Sequence, residues 1–149
     1  DILRRPREMD ELTRYAVRMQ RDVATHKPPA GPLDVKLVPG GLVDLEFLVH
    51  VTQFEAGAGF HPDLAAAVTD LVQVGALPPD IAAAQDLLTR YLIVSRLVSP
   101  GSIEPPPTAC PLVARRVDRT NWPELLAAID EARHNVGRAW GEVVARVKE

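Results

Sequence analysis

The sequence predicts an all-α fold, a bundle of five to six helices with one short extended segment near residues 33–38. Apolar residues recur every three or four positions along most of the chain, which is the spacing of an amphipathic helix. Proline and glycine cluster between these periodic stretches rather than inside them. Only 5% of the 149 residues are aromatic, so we expect a core of Leu, Val, Ile and Ala in a single domain over residues 1–149.

The first helix is predicted over residues 7–24. Pro6 suits a helix start, and the proline-rich residues 28–32 prevent the helix from continuing. The stripe consists of Met9, Leu12, Ala16, Met19 and Val23. The opposite side carries Arg7, Arg14, Arg18 and Arg21. For this basic side we favour a solvated face over a contact with phosphates or with an acidic partner.

A short extended segment is predicted next, because Val35 and Leu37 alternate with Lys36 between residues 33 and 38. Pro39, Gly40 and Gly41 then turn the chain. Residues 42–54 are apolar on almost every side, which predicts a central helix packed between others.

Three further helices and a short one complete the prediction. A third helix follows Pro62 and stops at Gly75, and a fourth runs over residues 78–98. A proline-rich loop follows, and residues 110–117 form at most a short helix. The last helix, to residue 147, is the best signalled, because Asn121 and Glu124 have the spacing of a capping box.

Composition excludes several classes of protein. The charge balance, 17 basic against 20 acidic residues, argues against a general nucleic-acid binder. No apolar stretch reaches the ~18 residues of a membrane span, and the first residues do not have the pattern of a signal peptide. We therefore expect a cytoplasmic protein with neither nucleic acid nor membrane as a partner. The start at Asp1 rather than Met suggests a piece of a longer polypeptide.

The segment between residues 34 and 47 has the most unusual sequence and is the strongest candidate for a ligand-binding site. Free amides at the start of the predicted central helix, with Lys36 just before it, could face a phosphate, and Gly40 and Gly41 would allow close approach. Asp44 and Glu46 point in different directions on a helix and cannot form a metal site by themselves. From spacing alone we favour the alternative, in which the segment is a turn into a helix and the acidic residues of the first helical turn interact favourably with the helix dipole.

The remaining candidate residues do not predict catalysis or a metal site. The four histidines do not group into a ligand set, and we expect Glu46 and His50 to form an ordinary hydrogen-bonded pair. The single cysteine, Cys110, is expected to pack as a small hydrophobic residue. Neither a Ser-His-Asp nor a Cys-His pattern is present. The residues alone thus indicate a binding or scaffold role.

The segment from Leu33 to His50 resembles the signature of the glutamine synthetase adenylyltransferase family. In that family an Asp-x-Lys segment leads through Gly-Gly to an acidic-hydrophobic-Glu-Phe helix start, followed one turn later by Gln or His. Here the matching residues are Asp34, Lys36, Gly40, Gly41, Asp44, Glu46, Phe47 and His50. Weaker similarity extends over the arginine-rich first helix and two later helices.

The resemblance implies a helical domain that follows a catalytic nucleotidyltransferase domain. Such enzymes contain two modules, one removing AMP from a tyrosine of glutamine synthetase and one attaching it from ATP. Asp44, and the end of the chain at Glu149, resemble the second, adenylylating module. The family's magnesium-binding Asp-x-Asp pattern does not follow Gly101 and Ser102. We therefore expect the isolated chain to transfer nothing and to bind ATP and magnesium weakly at most.

The resulting hypothesis places Lys36, Gly40 and Gly41 at the nucleotide cleft of the catalytic domain in the same polypeptide. Asp44 and Glu46 would orient Lys36 or fix the interface between the domains. The implied partners are that domain, glutamine synthetase and the signalling protein PII. Two alternatives remain open: the helical domain of a uridylyltransferase that modifies PII, and a non-catalytic bundle that binds glutamine synthetase or PII.

Overall fold

A computed structural model describes residues 4–100 and 104–147, and in these two ranges it contains six α-helices and no strand. The all-α prediction is confirmed. The helices are α1 (Arg4–His26), α2 (Leu42–Ala56), α3 (Leu64–Gln73), α4 (Pro79–Val98), α5 (Cys110–Arg116) and α6 (Trp122–Val147). None of the described helices is both long and apolar enough to cross a membrane.

Helices α4 and α6 form the most extensive helix pair of the bundle. Along α6 the apolar residues recur every three or four positions, so one face of the helix lies in the core. The buried residues of that face are Leu125, Ile129, Ala132, Val136, Trp140 and Val143. These two helices therefore form the base on which the other elements pack.

Helix α2 is central, as its apolar sequence predicts. It packs against α1, α3, α4 and α6, and buries residues on several sides. Phe47 contacts Trp140 of α6, with 6.1 Å between the ring centroids. The helix ends at Gly57, whose φ of 61° is the left-handed conformation common at helix ends.

Residues 33–38 form turns, whereas the sequence predicted an extended segment. The amides of Leu37 and Val38 both donate to the carbonyl oxygen of Asp34. The Asp34 side chain is buried and accepts a hydrogen bond from the amide of Ala30 at 3.0 Å. Val35 and Val38 are the buried apolar residues, and a spacing of three suits a turn rather than a strand. Burial of Asp34 thus favours turns here, although the alternation of apolar and polar residues predicts an extended segment.

Cys110 packs as a small buried residue, as expected, at the start of the short helix α5. Its sulfur lies 3.6 Å from the carbonyl oxygen of Pro105. Burial raises the pKa of the Cys110 thiol, so the thiol stays protonated near neutral pH. Burial likewise raises the pKa of Tyr91 to about 12, with smaller contributions from Cys110 and Glu104. Neither group is suited to act as an acid, base or nucleophile near neutral pH.

Candidate functional site

The candidate site, residues 35–46, comprises the turn that leads into α2 and the first residues of that helix. The Leu42 amide donates to the carbonyl oxygen of Val35 at 2.8 Å, and the Val43 amide donates to that of Lys36 at 3.0 Å. Gly41 begins the helix in an extended conformation. The carbonyl groups of the preceding turn therefore satisfy helix-start amides that a phosphate would otherwise bind.

Gly40 and Gly41 are buried and allow two close backbone contacts. Gly40 has a φ of 76°, and a Cβ atom there would lie 2.1 Å from the carbonyl oxygen of Arg133 in α6. A Cβ atom at Gly41 would lie 2.3 Å from the carbonyl oxygen of Val35. Both glycines are thus required for packing within this helical bundle.

A hydrogen bond from Arg133 adds to this junction. The Arg133 Nε donates to the carbonyl oxygen of Pro39 at 3.0 Å. Together with the close approach of Gly40, this bond fixes the turn against α6. The turn is therefore a rigid part of the bundle rather than a free loop.

Asp44 joins three elements through its two carboxylate oxygens. Oδ2 accepts a hydrogen bond from the Gly40 amide at 2.8 Å, and Oδ1 accepts one from Gln20 Nε2 of α1 at 2.8 Å. Hydrogen bonds to an ionised carboxylate are stronger than bonds between neutral groups. Asp44 therefore holds α1, the turn and α2 together.

Lys36 and Glu46 remain exposed. Within residues 4–100 and 104–147, neither side chain forms an ion pair. The bond between Val43 and the Lys36 backbone places residue 36 beside the first turn of α2. Glu46 lies three residues after Val43, on the same side of that helix. The structure thus brings the five candidate residues into one region, in which Gly40 and Gly41 are buried, Asp44 is half-buried, and Lys36 and Glu46 are exposed.

His50 pairs with a different residue from the one expected. Its Nδ1 lies 3.2 Å from Oε1 of Gln53 rather than near Glu46, and Gln53 Nε2 donates to the Gly59 carbonyl oxygen at 2.7 Å. Burial of Gln53 explains the difference, because both the oxygen and the nitrogen of a buried side-chain amide need hydrogen-bond partners. Glu46 and His50 line a small cavity of about 130 Å³ between α2 and α3, together with His61.

The described residues contain no group of three or more His, Cys, Asp or Glu side chains that could hold a metal ion. Magnesium prefers several carboxylate or water oxygens in octahedral geometry. Both oxygens of Asp44 already accept N–H bonds, and Oδ2 of Asp34 accepts one from Ala30. The candidate region therefore does not fit a magnesium site.

Sequence reasoning missed Gln20 and Arg133, the two residues that connect this turn to other helices. Gln20 is 24 positions from Asp44, and Arg133 is 94 positions from Pro39. Each lies on an ordinary amphipathic helix, where Gln and Arg are common. No local pattern marks either residue as a partner of the turn.

Comparison with known proteins finds relatives among bifunctional glutamine synthetase adenylyltransferase/adenylyl-removing enzymes. The enzymes from Brucella suis and Brucella melitensis are each 40% identical over 60 residues, 40% of this chain and 6% of theirs. The enzyme from Mesorhizobium japonicum is 27% identical over 144 residues, 91% of this chain. The chain spans 15% of that relative's length. No protein-family model matches the chain, and no solved structure does. The chain is thus distantly related to one part of these much longer enzymes.

Proposed function

We propose that this chain is the helical domain of an enzyme that transfers AMP from ATP to a tyrosine of glutamine synthetase, in the adenylylating module. The catalytic nucleotidyltransferase domain would lie elsewhere in the same cytoplasmic polypeptide. The similarity to the Mesorhizobium enzyme over 91% of the chain supports the relationship. The observation that supports the site is that Lys36, on the turn, and Glu46, in α2, are exposed, whereas the other candidate residues are held by contacts within the bundle.

The rigidity of the turn is the first step of the argument. Gly40 lies against the α6 backbone and Asp44 binds the Gly40 amide, so the turn has little freedom to move. The Lys36 carbonyl accepts a bond from Val43, which fixes the backbone of Lys36 as well. A charged group held in place can stabilise developing charge without reorganising.

The charges of the exposed residues are the second step. The ammonium group of a lysine binds phosphate as a compact point charge. We place Lys36 against the phosphates of ATP in the cleft of the catalytic domain, where it would offset charge during transfer. Glu46, on the same side of α2, would orient Lys36 or pair with a basic residue of that domain.

The metal chemistry would come from the catalytic domain. Magnesium bound there with ATP supplies charge neutralisation on the phosphates. The helical domain would contribute Lys36 and a fixed surface. Glutamine synthetase would be the protein substrate, and PII would be a further partner.

The test is the Lys36→Ala substitution in the complete enzyme. We expect kcat/KM for AMP transfer to glutamine synthetase to fall by roughly 100-fold, as for loss of one group that stabilises transition-state charge. The melting temperature should not change, because Lys36 is exposed. Both quantities are measured on the same preparation, with labelled ATP and by thermal unfolding.

Lys27→Ala is the matched control, since Lys27 is also an exposed lysine, in the loop after α1. It should leave transfer unchanged. Equal losses of transfer and stability in Lys36→Ala, or no loss of transfer, would contradict the proposed site. Transfer of a nucleotide to PII in place of glutamine synthetase would contradict the proposed substrate.

A further inference from the structure

We draw no further inference here: the strongest candidate, the exposed apolar face of α1 formed by Leu12, Tyr15 and Met19, carries none, because nothing in the structure shows what covers it.

Discussion

Helices α2 and α6 begin in different ways, although both must satisfy the unpaired amides of a first turn. At α6 the acceptors are side chains close in sequence to the helix start. Asn121 Oδ1 accepts a hydrogen bond from the Glu124 amide at 2.9 Å, and Glu124 Oε2 accepts one from the Thr120 amide at 3.1 Å. At α2, Gly41 provides no side-chain cap. Carbonyl groups of the preceding turn accept the amides instead.

The comparison shows why a helix start can resemble a ligand site in sequence. Two glycines before an apolar helix, with an acidic residue in its first turn, suggest open amides. At α2 the glycines serve close packing, and Asp44 bonds back to Gly40. The start of α2 is held by the preceding turn and also by contacts with α1 and α6, whereas the start of α6 is held by its own residues and the adjoining Thr120.

The largest effect is expected from Gly40→Ala. The new Cβ would lie 2.1 Å from the Arg133 carbonyl oxygen, and the φ of 76° disfavours any side chain. Strain and overpacking together should lower the free energy of unfolding by about 3 kcal/mol or more. Urea unfolding measures the loss, and failure to fold would agree with it.

Gly57→Ala separates backbone strain from packing. Gly57 also has a positive φ, 61°, but nothing lies within 4 Å of a Cβ atom there. The substitution should cost only about 1–2 kcal/mol, from the left-handed conformation. Equal costs at the two glycines would contradict the close approach of Gly40 to α6.

A smaller effect is expected from Asp44→Ala, which removes the acceptor of Gln20 and of the Gly40 amide. The free energy of unfolding should fall by about 2 kcal/mol, since both bonds involve a charged group. Gln20→Ala should cost about 1 kcal/mol. The double variant should cost less than the sum, because the two residues share one bond. Strict additivity in urea unfolding would show that Gln20 and Asp44 do not interact.

The fold was predictable to the extent that its determinants are local. The stripe of α6 and its capping residues Asn121 and Glu124 lie within one segment, and the structure confirms both. The turns at residues 33–38 were not predictable, because they depend on the burial of Asp34. In the sequence, apolar Val35 and Leu37 with Lys36 between them have the alternation that is typical of a strand.

The candidate site was predictable as a segment but not residue by residue. Sequence reasoning singled out residues 36–46, yet it could not separate Gly40 and Asp44 from the exposed Lys36 and Glu46. The separation depends on contacts with distant helices, through Gln20 and Arg133. Such contacts leave no periodic or spacing signal in a single sequence.

The smallest effect is expected from Asn121→Ala at the local start of α6. Loss of its bond to the Glu124 amide should lower the free energy of unfolding by about 1 kcal/mol, the usual cost of losing a cap. Asn135→Ala, in the middle of the same helix, is the matched control and should be neutral or slightly stabilising, because alanine favours the helix interior. Similar costs at the two asparagines in urea unfolding would rule out the cap. Because the two helix starts share no described hydrogen-bond partner, the effects of Asn121→Ala and Asp44→Ala should add, which distinguishes a local start from one built by the whole bundle.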